Sequence, residues 1–427
     1  MTPRILLVNP PIYDFAAYDF WLKPYGLLEA AGRLRGLAEV SLFDFLGRSG
    51  AGSTRKDPWG RGRFPAEVVS KPDSFKSVPR RYRRYGIRRA RFRDFLQAGK
   101  ALDFALVQTS MTYWYPGVRE VIEDLRLLWP RTRIVLGGPY ATLCSDHARS
   151  LGADLVVEGS DLNPLWQELG LDPGSGPAYW EGYDRLTVGA LKLTDGCPFK
   201  CSYCATPMIY PAFAQRPVDM VLEELDLLAR CGAADVAFYD DALLYRAEEV
   251  LLPFLERARS RNVSVRFHTP NALHARFMTR QVADAMVRTG FETFYLGYES
   301  ASAEWLQRTG AKVSHDDLAQ AVDRLRSAGA AANRITAYVM LGHPDEGPDA
   351  VEEAMRRVQG LGIRIMLSEF SPIPGTPDGE RCRRWVDLDE PLWHNNTAFP
   401  ILLLGNDEVN RLKQLRNRLN GDLDGSR

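Results

Sequence analysis

The feature that most constrains this chain is an alternation of short apolar stretches with amphipathic helical stretches, run through twice. In the first run, Arg4 to Asn9 is a continuous apolar segment, Tyr25 to Arg35 has helical spacing, and Val40 to Phe45 reads as a strand. Asp103 to Thr109, Arg133 to Leu136 and Asp154 to Val157 continue the pattern. Continuous apolar runs, unlike period-two ones, mark strands covered on both faces, and crossover helices between them make a parallel, doubly wound sheet. Ligands of such sheets sit outside the carboxyl ends of the strands. Those ends carry Asn9-Pro10-Pro11, Ser110-Met111-Thr112, Gly137-Gly138-Pro139 and Glu158-Gly159, which would line one rim.

The second run has strand candidates at Ala190 to Thr194, Asp235 to Tyr239, Val263 to His268, Thr293 to Gly297, Ile335 to Leu341 and Arg364 to Phe370. Six strand-helix units predict a partial barrel, since eight would need more residues, and sites in that architecture gather at the carboxyl ends of the strands. The expected fold is α/β: a doubly wound parallel sheet over 1–170, a partial (β/α)6 TIM-like barrel over 185–377, and a C-terminal extension over 378–427. Past Pro377 the periodicity fades into a stretch rich in Trp, His and Asn, then a charged end expected to fray. At 427 residues and 45% hydrophobic, the chain can build two or three real cores.

An insert at about 47–100 separates the second and third strands. It is rich in Gly, Pro and Ser at first, then runs through eight arginines from Arg80 to Arg93. Basic residues interleaved with aromatics can grip RNA by charge and stacking. The competing reading is an amphipathic helix whose Tyr82, Tyr85, Ile87 and Phe92 pack inward, with acidic patches elsewhere balancing the charge. A formal net charge of zero favours the second reading, so nucleic acid is not an expected partner. No apolar run approaches a membrane span, and the first hydrophobic segment is too short for a signal peptide, which predicts a cytoplasmic protein. That compartment suits free thiols.

The chemistry points to the segment from Thr194 to Cys204, where Cys197, Cys201 and Cys204 form a CxxxCxxC loop. Three thiolates on one loop suit a 4Fe-4S cubane with one iron left open, because an electron-transfer cluster takes four cysteines. A structural zinc site needs four closed ligands, and the nearest downstream histidine is His268. Cys144, Cys231 and Cys382 are isolated and read as small buried hydrophobes. They offer no second cluster.

With the aromatic Tyr203 just before its third cysteine, the loop resembles that of the radical S-adenosylmethionine (SAM) superfamily. The resemblance extends over about Leu191 to Pro377. Phe238 to Asp241, Tyr295 to Ser300, Met340 to Glu346 and Ser371 to Thr376 are similar, in that order, to motifs of the branch with an N-terminal cobalamin-binding-type domain. The resemblance implies a cluster on Cys197, Cys201 and Cys204 whose open iron chelates SAM, and reductive cleavage to a 5'-deoxyadenosyl radical. It implies contacts to SAM from Tyr203, from Asp240 and Asp241 at the amino group, from Glu299 and Ser300 at the ribose or carboxylate, and from Gly342 at the adenine. A small-molecule substrate and an electron donor such as flavodoxin or ferredoxin follow from it. Carboxylates suit an ammonium or a ribose diol, and glycines at 297 and 342 would let the backbone approach a flat base.

The chain departs from the branch at one point. The Asp-x-His-x-x-Gly that supplies a histidine to cobalt is missing, and the first histidine is His147. Ser110, Gly137 and Gly138 still resemble the loops that wrap the nucleotide tail of cobalamin. Two alternatives therefore stay open: cobalamin held without a histidine, giving methyl or group transfer, or a doubly wound unit that only shapes a substrate pocket. A reading from another class is a non-catalytic iron-sulfur protein that docks RNA or a protein partner through the arginine-rich insert. The substrate is not legible in these residues.

Overall fold

The computed structural model of this chain describes residues 2–47, 57–261, 263–310 and 313–423. Residues 48–56 of the expected insert therefore lie outside the described residues. Five parallel strands, β1 (Arg4–Asn9), β2 (Glu39–Asp44), β3 (Phe104–Gln108), β4 (Arg133–Gly137) and β5 (Leu155–Val157), form a sheet in the order β5-β4-β3-β1-β2. Ile5, Leu6, Leu7 and Val8 are all fully buried, with Leu6 and Val8 feeding one apolar cluster and Ile5 and Leu7 another. Covering on both faces is what the continuous apolar runs required. Strand order reverses between β1 and β3, where a doubly wound sheet opens its ligand crevice.

The second sheet holds β6 (Val188–Leu191), β7 (Asp235–Phe238), β8 (Arg266–His274), β9 (Phe291–Glu299), β10 (Ile335–Leu341) and β11 (Arg364–Glu369), parallel and in chain order. It is a partial barrel. Strand β8 starts three residues later than Val263 and runs on to His274, with its register shifting between Thr269 and Leu273. Pro270 lies inside that shift and has no N–H to give a ladder, so the apolar pattern breaks where the strand continues. The first barrel strand ends at Leu191, and Thr194–Asp195 instead pairs antiparallel with Ala214–Gln215, closing the base of the cysteine loop.

The arginine run is not one helix. Arg83–Tyr85 is the middle strand of a small antiparallel sheet between Ile12–Asp14 and Ala66–Val68, and a helix begins only at Arg89. Tyr82, Tyr85 and Phe92 are buried as expected. The balancing acids lie on the helix Tyr115–Leu128. Arg84 meets Glu120 at 2.7 Å with both side chains 3% exposed, while Arg89 and Arg93 each reach Asp124 at 2.8 Å.

Trp21, from the loop before Tyr25, is fully buried against Val188, Ala237 and Tyr295 in the bore of the partial barrel. It stacks on His268 with ring centroids 4.2 Å apart, and its Nε1 donates to the Trp59 carbonyl at 2.7 Å. The Arg61 guanidinium covers Trp59, Trp21 and Phe20 and bonds the Tyr295 hydroxyl. At the other end, the charged tail expected to fray forms a helix, Asn406–Leu423, that buries Val409, Leu412, Leu415 and Leu419. Asn420 both accepts from the Ile365 N–H and donates to its carbonyl, each at 2.9 Å, which caps the open edge of β11.

Candidate functional site

The cysteine loop stands on the mouth of the barrel and is tied down on the side away from the bore. Cys204 N donates to the Cys201 carbonyl at 3.0 Å, a tight turn that brings the second and third cysteines together. Ser202 N donates to the Thr309 carbonyl at 3.2 Å, Asp378 N donates to the Ser202 carbonyl at 3.0 Å, and the Ser202 hydroxyl donates to the Asp378 carboxylate. Cys201 is buried, whereas Cys197 and Cys204 are half-buried.

Beside this loop lies a partly open cleft lined by Cys197, Phe199, Asp241, His274, Gly297 and Glu299 among others. Four of the residues picked out by sequence thus line one cavity: Cys197, Asp241, Gly297 and Glu299. Glu299 has φ +64°, in the left-handed region that non-glycine residues rarely adopt, and the β9–β10 register shifts between Gly297 and Glu299. Such strain persists where the surroundings over-determine it, and here it marks a site wall.

The other predicted residues are used differently. Asp240 is 3% exposed, and its Oδ1 accepts from Leu193 N at 2.9 Å, Thr194 N at 2.6 Å and Thr194 Oγ1 at 2.8 Å. It splices the end of β7 to the start of the cysteine loop. Burial pushes its carboxyl up to about 6. Ser300 is fully buried and donates to Glu346, whose carboxyl burial pushes up to about 7. Gly342 (φ +84°) faces Pro400: a Cβ there would lie 2.6 Å from the proline ring, so packing requires glycine here. Tyr203 stacks on Trp305 at 5.8 Å, and burial, then the nearby Glu299, pushes its phenol up.

Sequence reasoning missed Phe199 and His274 in the cavity wall and His343 behind it. His274 lies beyond Pro270, where the strand pattern had ended. His343, fully enclosed, accepts from Trp305 Nε1 at 3.0 Å and donates through Nε2 to Asp378 at 3.1 Å. In the sequence it stands only within the segment Met340 to Glu346.

A second cavity, also open, lies at the strand-order reversal and is lined by Asn9, Pro10, Pro11, Ser110, Met111 and Trp114, among others. Ser110 is where the rim argument put it. Gly137 and Gly138 do not line this cavity. The Gly137 carbonyl accepts from Thr109 N at 2.8 Å, and a Cβ on Gly138 (φ +111°) would lie 2.2 Å from the Thr109 carbonyl oxygen. The exit of β3 therefore demands glycine at 138. None of the residues lining this cavity is a histidine, and His147 is engaged with the Tyr140 hydroxyl at 2.6 Å. Among the described residues, no helix is long and apolar enough to cross a membrane.

Residues 191–358 match the family described as the Radical SAM superfamily. Among curated proteins, the chain is 24% identical over 61% of its length to a threonylcarbamoyladenosine tRNA methylthiotransferase, MtaB, of Thermotoga maritima, covering 64% of that protein. It is 24% identical over 60% of its length to a bacteriochlorophyllide d C-12(1)-methyltransferase of Chlorobaculum tepidum, covering 62% of it. In both cases the match spans less than two thirds of the relative. Among solved structures, the radical SAM methyltransferase TsrM of Kitasatospora setae, with cobalamin and a 4Fe-4S cluster bound, superposes with a TM-score of 0.67 at 16% identity. That match covers 97% of this chain and 91% of the other. The cobalamin-dependent SAM radical enzyme OxsB, with aqua-cobalamin and SAM bound, gives 0.58 at 13% identity, covering 98% of this chain and 61% of that one. These likenesses extend the fold agreement to both sheets.

Proposed function

We propose, from the match of residues 191–358 to the Radical SAM superfamily, that this chain is an enzyme that cleaves SAM and transfers a methyl or other group with the help of a corrinoid. The observation that carries the reading is the meeting of Cys197, Asp241 and Glu299 in one cavity wall at the barrel mouth. When bound, a 4Fe-4S cluster and SAM would supply a 5'-deoxyadenosyl radical, and a corrinoid a transferable methyl group. In this reading Cys197, Cys201 and Cys204 hold the cluster, leaving one iron for SAM. Asp241 and Glu299 accept hydrogen bonds from its ammonium or ribose, and Gly297 gives room for the base. Asp240, Ser300 and Gly342 act behind the wall, holding the loops that carry it.

A corrinoid held at the switch-point cavity would lie against Pro10, Pro11, Ser110 and Trp114, and none of the lining residues is a histidine. The division at 1–170, 185–377 and 378–427 goes with this reading, as do a small-molecule substrate, a flavodoxin or ferredoxin as electron donor, and a cytoplasmic site that protects the thiols. The docking alternative is weakened at three of the eight arginines, because Arg84, Arg89 and Arg93 are committed to Glu120 and Asp124.

The test is anaerobic reconstitution followed by reduction with SAM present. The expected products are 5'-deoxyadenosine or S-adenosylhomocysteine, with about four irons per chain. Neither product in a protein that holds its iron would overturn the enzymatic reading. Replacing Cys197, Cys201 and Cys204 together by Ala should remove the iron, whereas Cys231→Ala should leave it.

A further inference from the structure

One residue pair from the far end of the chain reaches the wall of the switch-point cavity. Trp114 lines that cavity, and its Nε1 donates to Asp14 Oδ2 at 2.8 Å. Asp14 is 2% exposed and also accepts from Phe15 N at 2.6 Å and from Asn395 Nδ2 at 2.9 Å. Asn395, fully buried, accepts on its Oδ1 from Thr397 N and Ala398 N, both at 2.9 Å. Its side chain is thus held at both ends, between the start of the helix Ala398–Leu404 and the carboxylate that holds Trp114.

His394 does the same for the rim. It is fully buried; its Nε2 donates to the Leu388 carbonyl at 3.0 Å, which leaves Nδ1 to accept from the Thr112 hydroxyl at 2.9 Å. Thr112 follows Ser110 and Met111, both in the cavity lining. The strap is anchored to the barrel at two further points: Ser371 donates to the His394 carbonyl, and Pro400 lies against Gly342.

We propose that His394 and Asn395 are positioning residues for the ligand of the switch-point cavity. Asn395 fixes the Trp114 wall through Asp14, and His394 fixes the Ser110–Thr112 rim. The physical reason is preorganisation. A tryptophan free to change rotamer and a rim loop free to move must be ordered when a ligand binds, and that cost comes out of the affinity. Removing the Asn395 amide also leaves a buried carboxylate one donor short, so Asp14 gains a reason to move, and Trp114 moves with it. The ligand class, a corrinoid, rests on the function proposed above.

The experiment is a hydroxocobalamin titration of the full-length, cluster-loaded protein followed by absorbance, with acrylamide quenching of tryptophan fluorescence, iron content and thermal melting measured alongside. Asn395→Ala is expected to weaken binding on the order of tenfold, the scale seen when an outer partner of a ligand-holding group is lost, with more quenching and unchanged iron. Thr112→Val, which removes only the hydroxyl facing His394, is expected to weaken binding severalfold and to lower the melting temperature by no more than the loss of one buried hydrogen bond. His394→Gln, whose amide can donate and accept in place of the ring, should keep wild-type affinity. Should Asn395→Ala fail to fold, Thr112→Val decides. Wild-type binding with unchanged affinity in Thr112→Val and in any folded Asn395→Ala overturns this inference and leaves the corrinoid reading standing. Wild-type protein that retains no hydroxocobalamin overturns both.

Discussion

Asp240 and Asp241 are neighbours in sequence and opposites in use. The first gives its Oδ1 to three donors of the cysteine-loop base and keeps a buried Oδ2 with no partner; the second lines the cavity. Asp240→Ala should therefore cost about 1–3 kcal/mol in thermal unfolding, since it leaves buried N–H and O–H groups unpaired, and should lower iron retention. Asp241→Ala should leave both unchanged and weaken SAM binding in equilibrium dialysis. The sequence could show that an acid pair ends β7 but not which member faces out, because a strand end can turn either way. Glu346 makes a second residue-scale prediction. Its buried carboxyl holds a proton up to about pH 7, while the unfolded chain releases one near 4.5. The folded state binds more protons in that window, so stability falls as the pH rises through it, by about 3 kcal/mol at most. Glu346→Gln keeps an acceptor for Ser300 and should flatten melting temperature against pH between 5 and 8.

Among the elements, the C-terminal strap departs furthest from expectation. A stretch read as patternless is held by specific hydrogen bonds to distant residues, which periodicity does not record. Burial pushes the His394 imidazole down to about 4. Between pH 6.5 and 4 the unfolded chain takes up a proton there that the folded protein does not, so stability should fall by about 3 kcal/mol as the pH drops through that window. His394→Gln should remove that slope from denaturant midpoints measured between pH 7 and 4.5. Strand β8 and the arginine segment teach a related lesson. Pro270 hid the far half of β8, and Arg83–Tyr85 became a strand because Ile12–Asp14 and Ala66–Val68 offered it ladder partners on both sides. For Arg84 the pairing partners, Glu67 and Tyr13, lie 17 and 71 residues away, and they decide the case where local propensity does not.

In the whole molecule, the barrel is finished by the N-terminal unit. Six strands leave a bore that Trp21 fills, with Trp59 and Arg61 over it. Trp21→Ala should cost about 3–5 kcal/mol in denaturant unfolding, the range for truncating a large buried aromatic. Residues 185–423 expressed alone should be insoluble or bind an apolar dye, because Val188, Ala237 and Tyr295 would be uncovered; a soluble fragment with a cooperative melt would contradict this. Sequence alone determined the two parallel sheets, the six-unit barrel and the three-cysteine loop, since hydrophobic period and cysteine spacing are local signals carried by a few consecutive residues. Tertiary structure alone decided what plugs the bore, which acid faces the cavity, why Gly138 and Gly342 must be glycine, and how residues 394–400 brace both sites. Each of these depends on atoms far apart in the chain coming within a few ångströms, and no local pattern encodes such a distance.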